Sequence, residues 1–238
     1  MFRRGDVEEM APGVHQVRAL GAWVTVIAGD DGTVMVDAGG RGSAGRICRG
    51  LAHLGIRDEG VRTIVVTHSH PDHIGGLAEM VGLTRAQVAA HASEIPSISV
   101  RVASPYPSGL GALSALARPT LTFLVPRPVP VDHALADGSA VPGLPEAMVI
   151  HTPGHTPGTI CILLKDRGVL LVGDALQYRF GRLGPPSALV TQDRALARLS
   201  MERLLDLDFE VMGFSHFPAI RQGAKEVLRE MLRRRATP

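Results

Sequence analysis

The hexapeptide HSHPDH, which begins at His68, holds three histidines and one aspartate, although the whole chain has only ten histidines. Protonated imidazoles this close together would repel one another, whereas neutral imidazoles can coordinate a metal ion together. In an extended segment alternate side chains point the same way, so His68 and His70 can reach one ion. Pro71 suits the first turn of a helix, where the dipole favours an ionised Asp72 and a neutral His73. The pattern predicts a metal-binding loop.

Four ligands from one short loop cannot surround two ions, and three later stretches supply residues of the same types. His155 lies in HTPGHTPG, where Pro-Gly pairs fix a tight loop. Asp174 follows the apolar run LLVG, and His216 closes the stretch MGFSH. Each stretch alone is a weak signal, but each follows or flanks a predicted strand, and together they complete a set of imidazole and carboxylate ligands.

Short apolar runs bounded by turn residues predict the strands that position these side chains. The predicted strands include residues 14–29, 33–36, 61–67 and 86–92 in the first half, and 147–152, 158–166, 168–174 and 209–216 in the second. Helices are predicted at residues 43–54, 73–83, 192–205 and 223–235. Two similar halves, each mostly strands followed by helices, predict two packed sheets with helices outside them.

Length and composition set the class of protein. The 238 residues are 45% hydrophobic, which supports a substantial core, and the whole chain is predicted to form a single domain. The well-mixed charges, with a net value of +2, give no electrostatic footprint for nucleic acid. Neither a signal peptide nor a run of about 18 apolar residues is present, so a cytoplasmic location without membrane contact is expected. Cys48 and Cys161 are expected to be buried thiols.

A proline-rich, apolar insertion at about residues 99–131 differs from its surroundings. Its apolar side chains, among them Tyr106 and Phe123, are predicted either to form a substrate-binding wall over the metals or simply to seal the core. Tyr178, four positions after Asp174, is a further candidate for contact with a substrate carbonyl, with a purely structural role as the alternative.

These motifs, in this order, resemble those of the metallo-β-lactamase superfamily, and HTPGHTPG with HxHxDH resembles its glyoxalase II-like branch. The early DAG motif, which begins at Asp37, matches as well. The resemblance implies an α+β fold, a four-layer αββα sandwich of two mixed sheets, with a dinuclear site at one edge. One ion would be bound by His68, His70 and His155, the other by Asp72, His73 and His216, with Asp174 bridging both. Asp37 would lie behind the ligands and orient them.

The resemblance also implies the chemistry. A hydroxide bridging two ions, generated because metals lower the pKa of water from about 15.7 towards 7, would cleave an ester, lactone or thioester of a small molecule. Asp174 would hold the ions, and Asp72 would pass a proton to the leaving group. Zinc is favoured, although imidazole and carboxylate ligands also suit iron and manganese. A homo-oligomer is left open.

Two features depart from the glyoxalase II pattern: only a short tail follows the last predicted strand, and His216 lies in FSHFPAI rather than in glycine-rich surroundings. The alternative function is that of a persulfide dioxygenase, which resembles this chain in the same motifs. Such an enzyme would hold one iron through His68, His155 and Asp174.

Overall fold

The computed structural model describes residues 6–100 and 126–236, and its larger sheet has seven strands in chain order. They are β1 (Val7–Ala11), β2 (Val14–Arg18), β3 (Trp23–Gly29), β4 (Gly32–Val36), β5 (Val61–Val66), β6 (Gln87–His91) and β7 (His133–Leu135). The first four strands pair antiparallel, and β4 to β7 pair parallel. The sheet is therefore mixed, and β5 lies near its centre with its carboxyl end leading into HSHPDH.

The second sheet consists of five strands: β8 (Ala140–Val141), β9 (Leu144–His151), β10 (Ile160–Leu164), β11 (Val169–Leu171) and β14 (Val211–Gly213). They lie in the order β14-β11-β10-β9-β8. A separate hairpin consists of β12 (Gln177–Arg179) and β13 (Arg182–Gly184). Strands β11 and β14 run parallel while the other neighbours run antiparallel, so this sheet is mixed too.

In the described residues six α-helices accompany the sheets: α1 (Ala44–His53), α2 (Pro71–Ile74), α3 (Leu77–Thr84), α4 (Ile95–Ser99), α5 (Arg194–Arg203) and α6 (Ala224–Ala236). Helix α1 buries Ile47 and Leu51, a spacing that gives it one apolar face. Asp193 caps the start of helix α5, where its carboxylate accepts a hydrogen bond from the Leu196 amide at 2.9 Å. Within the described parts of the chain, no helix combines the length and apolar character that crossing a membrane requires.

Three apolar clusters separate four layers. Along β10, Ile160, Ile162 and Leu164 pack between the two sheets, whereas Cys161 and Leu163 pack on the side of α5 and α6. A third cluster joins the larger sheet to α1, α3 and α4. Strand β10 is an unbroken apolar run because both of its faces are buried. The predicted αββα sandwich of two mixed sheets is confirmed.

The helix predicted at residues 73–83 is divided in the structure, since α2 and α3 are separated by Gly75 and Gly76. A Cβ atom on Gly75 would lie 2.4 Å from the Arg41 amide nitrogen, and one on Gly76 would lie 2.4 Å from the Ala38 carbonyl oxygen. The two glycines allow the loop after β4 to pack tightly against the helix pair. The Ala38 amide also donates to the His73 carbonyl at 2.8 Å, which fixes the position of the neighbouring Asp37.

Both cysteines are free, and Cys161 is fully buried while Cys48 is half-buried. Burial raises the pKa of Cys161 to about 12. Burial and the neighbouring Asp58 raise the pKa of Cys48 to about 11. Both therefore remain neutral thiols near pH 7, which suits packing rather than chemistry.

We expect the interface between the sheets to supply much of the stability. Leu164 is fully buried in that interface. Its replacement by alanine should lower the free energy of unfolding by about 2–5 kcal/mol, because apolar burial is lost and a cavity is left behind. The matched substitution Leu199→Ala on α5, where the leucine is 56% exposed, should change it by about 0.5 kcal/mol or less. Urea unfolding followed by circular dichroism measures both, and equal losses would contradict the layered core.

Candidate metal centre

The loop after β5 directs three imidazoles into the protein. His68, His70 and His73 are each at most 3% exposed. His70 keeps an extended backbone, with φ −68° and ψ 148°, and Pro71 then begins α2 as the sequence predicts. The chain thus turns from strand to helix between the second and third histidines, so that all three rings face one region.

The second sheet adds three side chains from the same edge to the four of the HSHPDH segment. His155 lies in the loop between β9 and β10, Asp174 follows β11, and His216 follows β14. The two sheets meet here directly, because the Ile160 amide donates to the Thr67 carbonyl at 3.0 Å. The structure therefore brings together all seven residues that the sequence predicts as ligands.

The distances divide these side chains into overlapping groups. His70 Nδ1 lies 3.0 Å from His68 Nε2 and 3.1 Å from His155 Nε2. On the other side, His216 Nε2 lies 3.2 Å from Asp174 Oδ1 and 3.4 Å from Asp72 Oδ2. The sets that could each hold an ion are His68-His70-His155, His68-His73-Asp174 and Asp72-His73-His216.

Asp174 stands between the two sides. One of its oxygens, Oδ2, is 3.6 Å from His155 Nε2, and the other, Oδ1, is 3.6 Å from His73 Nε2. Asp174 and His73 are buried, whereas the Asp72 side chain is 38% exposed and that of His216 is 23% exposed. The centre therefore has a closed side and a side that solvent reaches.

Hydrogen bonds behind the rings determine which ring nitrogen carries a proton. His216 Nδ1 donates to the Gly21 carbonyl at 2.9 Å, and His73 Nδ1 donates to Asp37 Oδ2 at 2.7 Å. The carbonyl and the carboxylate can only accept, so Nδ1 of each ring carries the proton. In the neutral ring the Nε2 atom then keeps its lone pair. That lone pair faces the centre.

Two threonines fix His68 and His155 in the same way. The Thr67 hydroxyl donates to Asp37, so it accepts from His68 Nδ1 at 3.1 Å. The Thr191 hydroxyl donates to the Ser187 carbonyl, so it accepts from His155 Nδ1 at 3.2 Å. The Nε2 atoms of both neutral rings again direct lone pairs inward, towards His70 Nδ1.

This donor set fits a cation. Three ring nitrogens, His68 Nε2, His70 Nδ1 and His155 Nε2, meet with at most one proton among them. A proton on His70 Nδ1 can form a good hydrogen bond with only one of the other two nitrogens. Within the described part of the chain, His73 Nε2 is buried without a hydrogen-bond partner, 3.6 Å from an Asp174 oxygen. Among the described residues, the buried charged side chains are carboxylates and no lysine or arginine is buried. Positive charge from a bound ion would satisfy these groups.

The titration behaviour of the rings follows their surroundings. Burial lowers the pKa of His155 to about 4 and also lowers the pKa of His68 and His70, which favours neutral rings. Burial likewise acts to lower the pKa of His73, but Asp37 and Asp174 outweigh it and raise that pKa well above its ordinary value. Asp174, through its hydrogen bond and charge, similarly raises the pKa of His216 against the effect of burial.

Burial acts to raise the pKa of Asp174, but His73 and His216 outweigh it and hold that pKa well below its ordinary value. Asp174 is therefore an ionised carboxylate at the centre. An ionised carboxylate among imidazoles that give up their protons on binding is the state in which such groups coordinate a metal.

Several supporting residues were missed in the sequence. Thr67, Thr191 and the Gly21 carbonyl orient rings but lie outside the histidine and aspartate motifs. Asp37 accepts hydrogen bonds from His73 and from the Thr67 amide at 2.8 Å, and its role in orienting ligands stays a prediction. It is buried and has a left-handed backbone, with φ 64°.

The predicted substrate contacts have different outcomes. Tyr178 lies on β12, where its ring stacks on Phe214 with centroids 5.9 Å apart and packs against the outer apolar cluster of the second sheet. This packing favours the structural alternative for Tyr178. Tyr106 and Phe123 lie outside the described residues, so their predicted role stays a prediction.

We expect binding of Zn²⁺ to metal-free protein to release protons. The raised pKa values of His73 and His216 keep these rings protonated at mildly acidic pH, and coordination displaces those protons. Affinity should therefore rise as the pH increases from about 6 to 8, because fewer protons compete. Calorimetry in buffers with different heats of ionisation counts the protons.

Asp37→Asn provides the control, since it keeps an oxygen for His73 Nδ1 but removes the negative charge. The variant should release fewer protons at the same pH because the pKa of His73 falls. Equal proton release in both proteins, or an affinity that does not depend on pH, would contradict this assignment.

The chain is similar in sequence to known proteins. A sequence model of the metallo-β-lactamase superfamily matches residues 17–216. The probable metallo-hydrolase YflN of Bacillus subtilis is 32% identical over 233 residues, which cover 90% of this chain and 87% of that protein. A hydroxyacylglutathione hydrolase of Cereibacter sphaeroides is 29% identical over 159 residues, and the match covers 65% of this chain but only 51% of that longer protein.

The fold agrees with the sequence matches. The crystal structure of a metallo-β-lactamase family protein from Thermus thermophilus superposes with a TM-score of 0.72 and 25% identity, covering 96% of this chain and 81% of that one. The motifs that the sequence resemblance rested on are the ones that the sandwich brings to a single edge. On the match of its sequence and of its fold, the chain belongs to the metallo-β-lactamase superfamily.

Proposed function

We propose that this protein is a metal-dependent hydrolase that uses two divalent cations to cleave a small ester, lactone or thioester. The observation that carries the proposal is the inward-facing Nε2 atoms of His68, His73, His155 and His216, set around the ionised Asp174. Each of these rings has its outer nitrogen occupied by a hydrogen-bond acceptor. The rings are thus oriented for coordination before any ion arrives.

Two ions, rather than one, account for the number and distribution of the donors. We assign His68, His70 and His155 to the closed side, and Asp72, His73 and His216 to the side that solvent reaches. Asp174 belongs to both, because its two oxygens face different sides. Zinc is proposed because imidazole nitrogen dominates the set, with iron and manganese as alternatives.

Two bound cations would supply Lewis acidity, polarising the scissile carbonyl and lowering the pKa of a water molecule between them. The chain itself supplies orientation and proton transfer. Asp72 is partly exposed, and its Oδ2 lies 3.4 Å from His216 Nε2 at the open side. This position suits a carboxylate that carries a proton from the attacking water to the leaving oxygen or sulfur.

The relatives support hydrolysis. YflN is named as a probable metallo-hydrolase and matches along most of both chains, and the Cereibacter protein is named as a hydrolase of hydroxyacylglutathione. The proposed substrate class, esters, lactones and thioesters, includes acyl derivatives of this kind. Because the chain spans about half of the Cereibacter protein, glutathione itself is not part of the proposal.

Asp174→Asn should lower kcat/KM for a hydrolysed ester or thioester by more than the 10- to 100-fold that is typical of residues behind the ligands. The reason is that a neutral amide cannot hold two cations together. Asp166→Asn, at an exposed turn between β10 and β11, is the matched control and should leave the rate unchanged. Steady-state kinetics on a panel of thioesters and lactones gives both values, and an active Asp174→Asn protein would exclude the bridging role.

Elemental analysis of protein purified without added metal should give two divalent ions per chain. Removal of these ions by a chelator should abolish hydrolysis, and Zn²⁺ should restore it, because the water is not activated without them. A single iron per chain, together with oxygen uptake on glutathione persulfide and no hydrolysis of the panel, would support the persulfide dioxygenase instead.

A further inference from the structure

A buried carboxylate lies next to the centre without belonging to any of its ligand groups. Glu94 ends the short 3-10 turn, Ala92–Glu94, that follows β6, and it is 2% exposed. Burying a charged side chain is costly unless hydrogen bonds compensate for the lost water. The contacts of Glu94 therefore indicate what it does.

Three donors converge on this carboxylate. Its Oε2 accepts from the Ser69 amide at 2.8 Å, and its Oε1 accepts from the Thr156 hydroxyl and the Gly158 amide, each at 2.8 Å. An ionised carboxylate is an acceptor only, so these partners match its charged form. Hydrogen bonds to a charged group are stronger than those between neutral groups.

The three donors belong to the two loops that carry the closed-side ligands. Ser69 lies between His68 and His70, and Thr156 follows His155 directly. Glu94 thus connects the loop of one sheet to the loop of the other at the point where their imidazoles meet. Each side of its carboxylate serves one loop.

The packing around Glu94 is close. A Cβ atom on Gly158 would lie 2.6 Å from Glu94 Cγ, so the loop reaches the carboxylate only because this residue is glycine. The Thr156 amide donates to the Thr159 hydroxyl at 2.9 Å, which closes the same loop on itself. The loop that holds His155 is therefore both internally fixed and attached to Glu94.

This attachment opposes a repulsion. His70 Nδ1 and His155 Nε2 come from different sheets and lie 3.1 Å apart. One proton on His70 Nδ1 can serve His68 Nε2 or His155 Nε2 but not both, so without a cation one pair of lone pairs faces each other and the loops need another interaction to stay close. The hydrogen bonds that Glu94 accepts from Ser69, Thr156 and Gly158 supply it.

We propose that Glu94 is a positioning residue that sets the spacing of His68, His70 and His155 and thereby the affinity and geometry of the closed-side cation site. The inference rests on the proposed function, because it concerns the same ions. Glu94 acts through the loops and through its negative charge beside the site, and it does not touch the ions. Outer residues of this kind typically change metal affinity 10- to 100-fold.

The test uses Co²⁺ as the probe, since its visible absorption reports the ligand geometry. Glu94→Gln keeps the size of the side chain but removes the charge and turns an amide group towards one of the donors. We expect the Co²⁺ dissociation constant, measured by competition with a chelator, to rise about 10- to 100-fold, with a shifted visible spectrum. Glu59→Gln, at an exposed position before β5, is the matched control and should match the wild type.

A second pair of variants keeps the test valid if Glu94→Gln does not fold. Thr156→Val removes one donor to Glu94 at almost constant volume and should weaken Co²⁺ binding in the same direction, by a smaller factor. Thr156→Ser keeps the hydroxyl and should restore most of the lost affinity. A role in folding alone would lower stability without moving the Co²⁺ spectrum.

The outcomes separate the two proposals. If the wild type binds Co²⁺ and the Glu94→Gln and Thr156→Val proteins keep its affinity and spectrum, the role of Glu94 is overturned while the proposed function stands. If the wild type binds no divalent ion, the proposed function fails, and this inference fails with it. Weaker binding with an altered spectrum in both variants supports the inference.

Discussion

Ring nitrogens of His68, His70 and His155 lie 3.0 and 3.1 Å apart with at most one proton among them. The surrounding structure must hold these rings in place. Burying so many polar and charged side chains together is costly unless hydrogen bonds compensate for the lost water. Hydrogen bonds that the rings donate to Thr67, Thr191 and the Gly21 carbonyl fix them from behind. Asp37 adopts a left-handed backbone, which costs on the order of 1 kcal/mol and which its bonds to His73 and Thr67 offset.

The topology explains why residues so distant in sequence converge. Strands β11 and β14 run parallel, so Asp174 and His216 emerge at the same edge of the second sheet. Strand β10 runs antiparallel to β11, so the loop before it, with His155, lies at that edge too. The bond from Ile160 to Thr67 aligns this edge with the end of β5. The site is therefore a consequence of strand direction and of how the sheets pack.

The sequence was sufficient to predict two packed sheets from its short apolar runs, and the sandwich and the candidate ligands followed from motifs that are weak singly but occur together in the order of the superfamily. The supporting contacts were not predictable in the same way. A carbonyl such as that of Gly21 carries no side-chain signal, and Thr191 is one threonine among many. Glu94 lies in no motif, since its partners are mostly backbone amides. The division between α2 and α3 depends on the loop after β4, which local periodicity does not reveal.

The two sheets contribute candidate ligands in nearly equal measure, with His68, His70, Asp72 and His73 from the first and His155, Asp174 and His216 from the second. A cation shared between them would act as a cross-link that exists only in the folded chain, and it would couple the unfolding of one half to that of the other. Mass action gives the size of this coupling: free metal at about 100 times the dissociation constant would add about 2.7 kcal/mol to the folded state. Metal supply would then influence how long the protein survives in a cell as well as whether it is active.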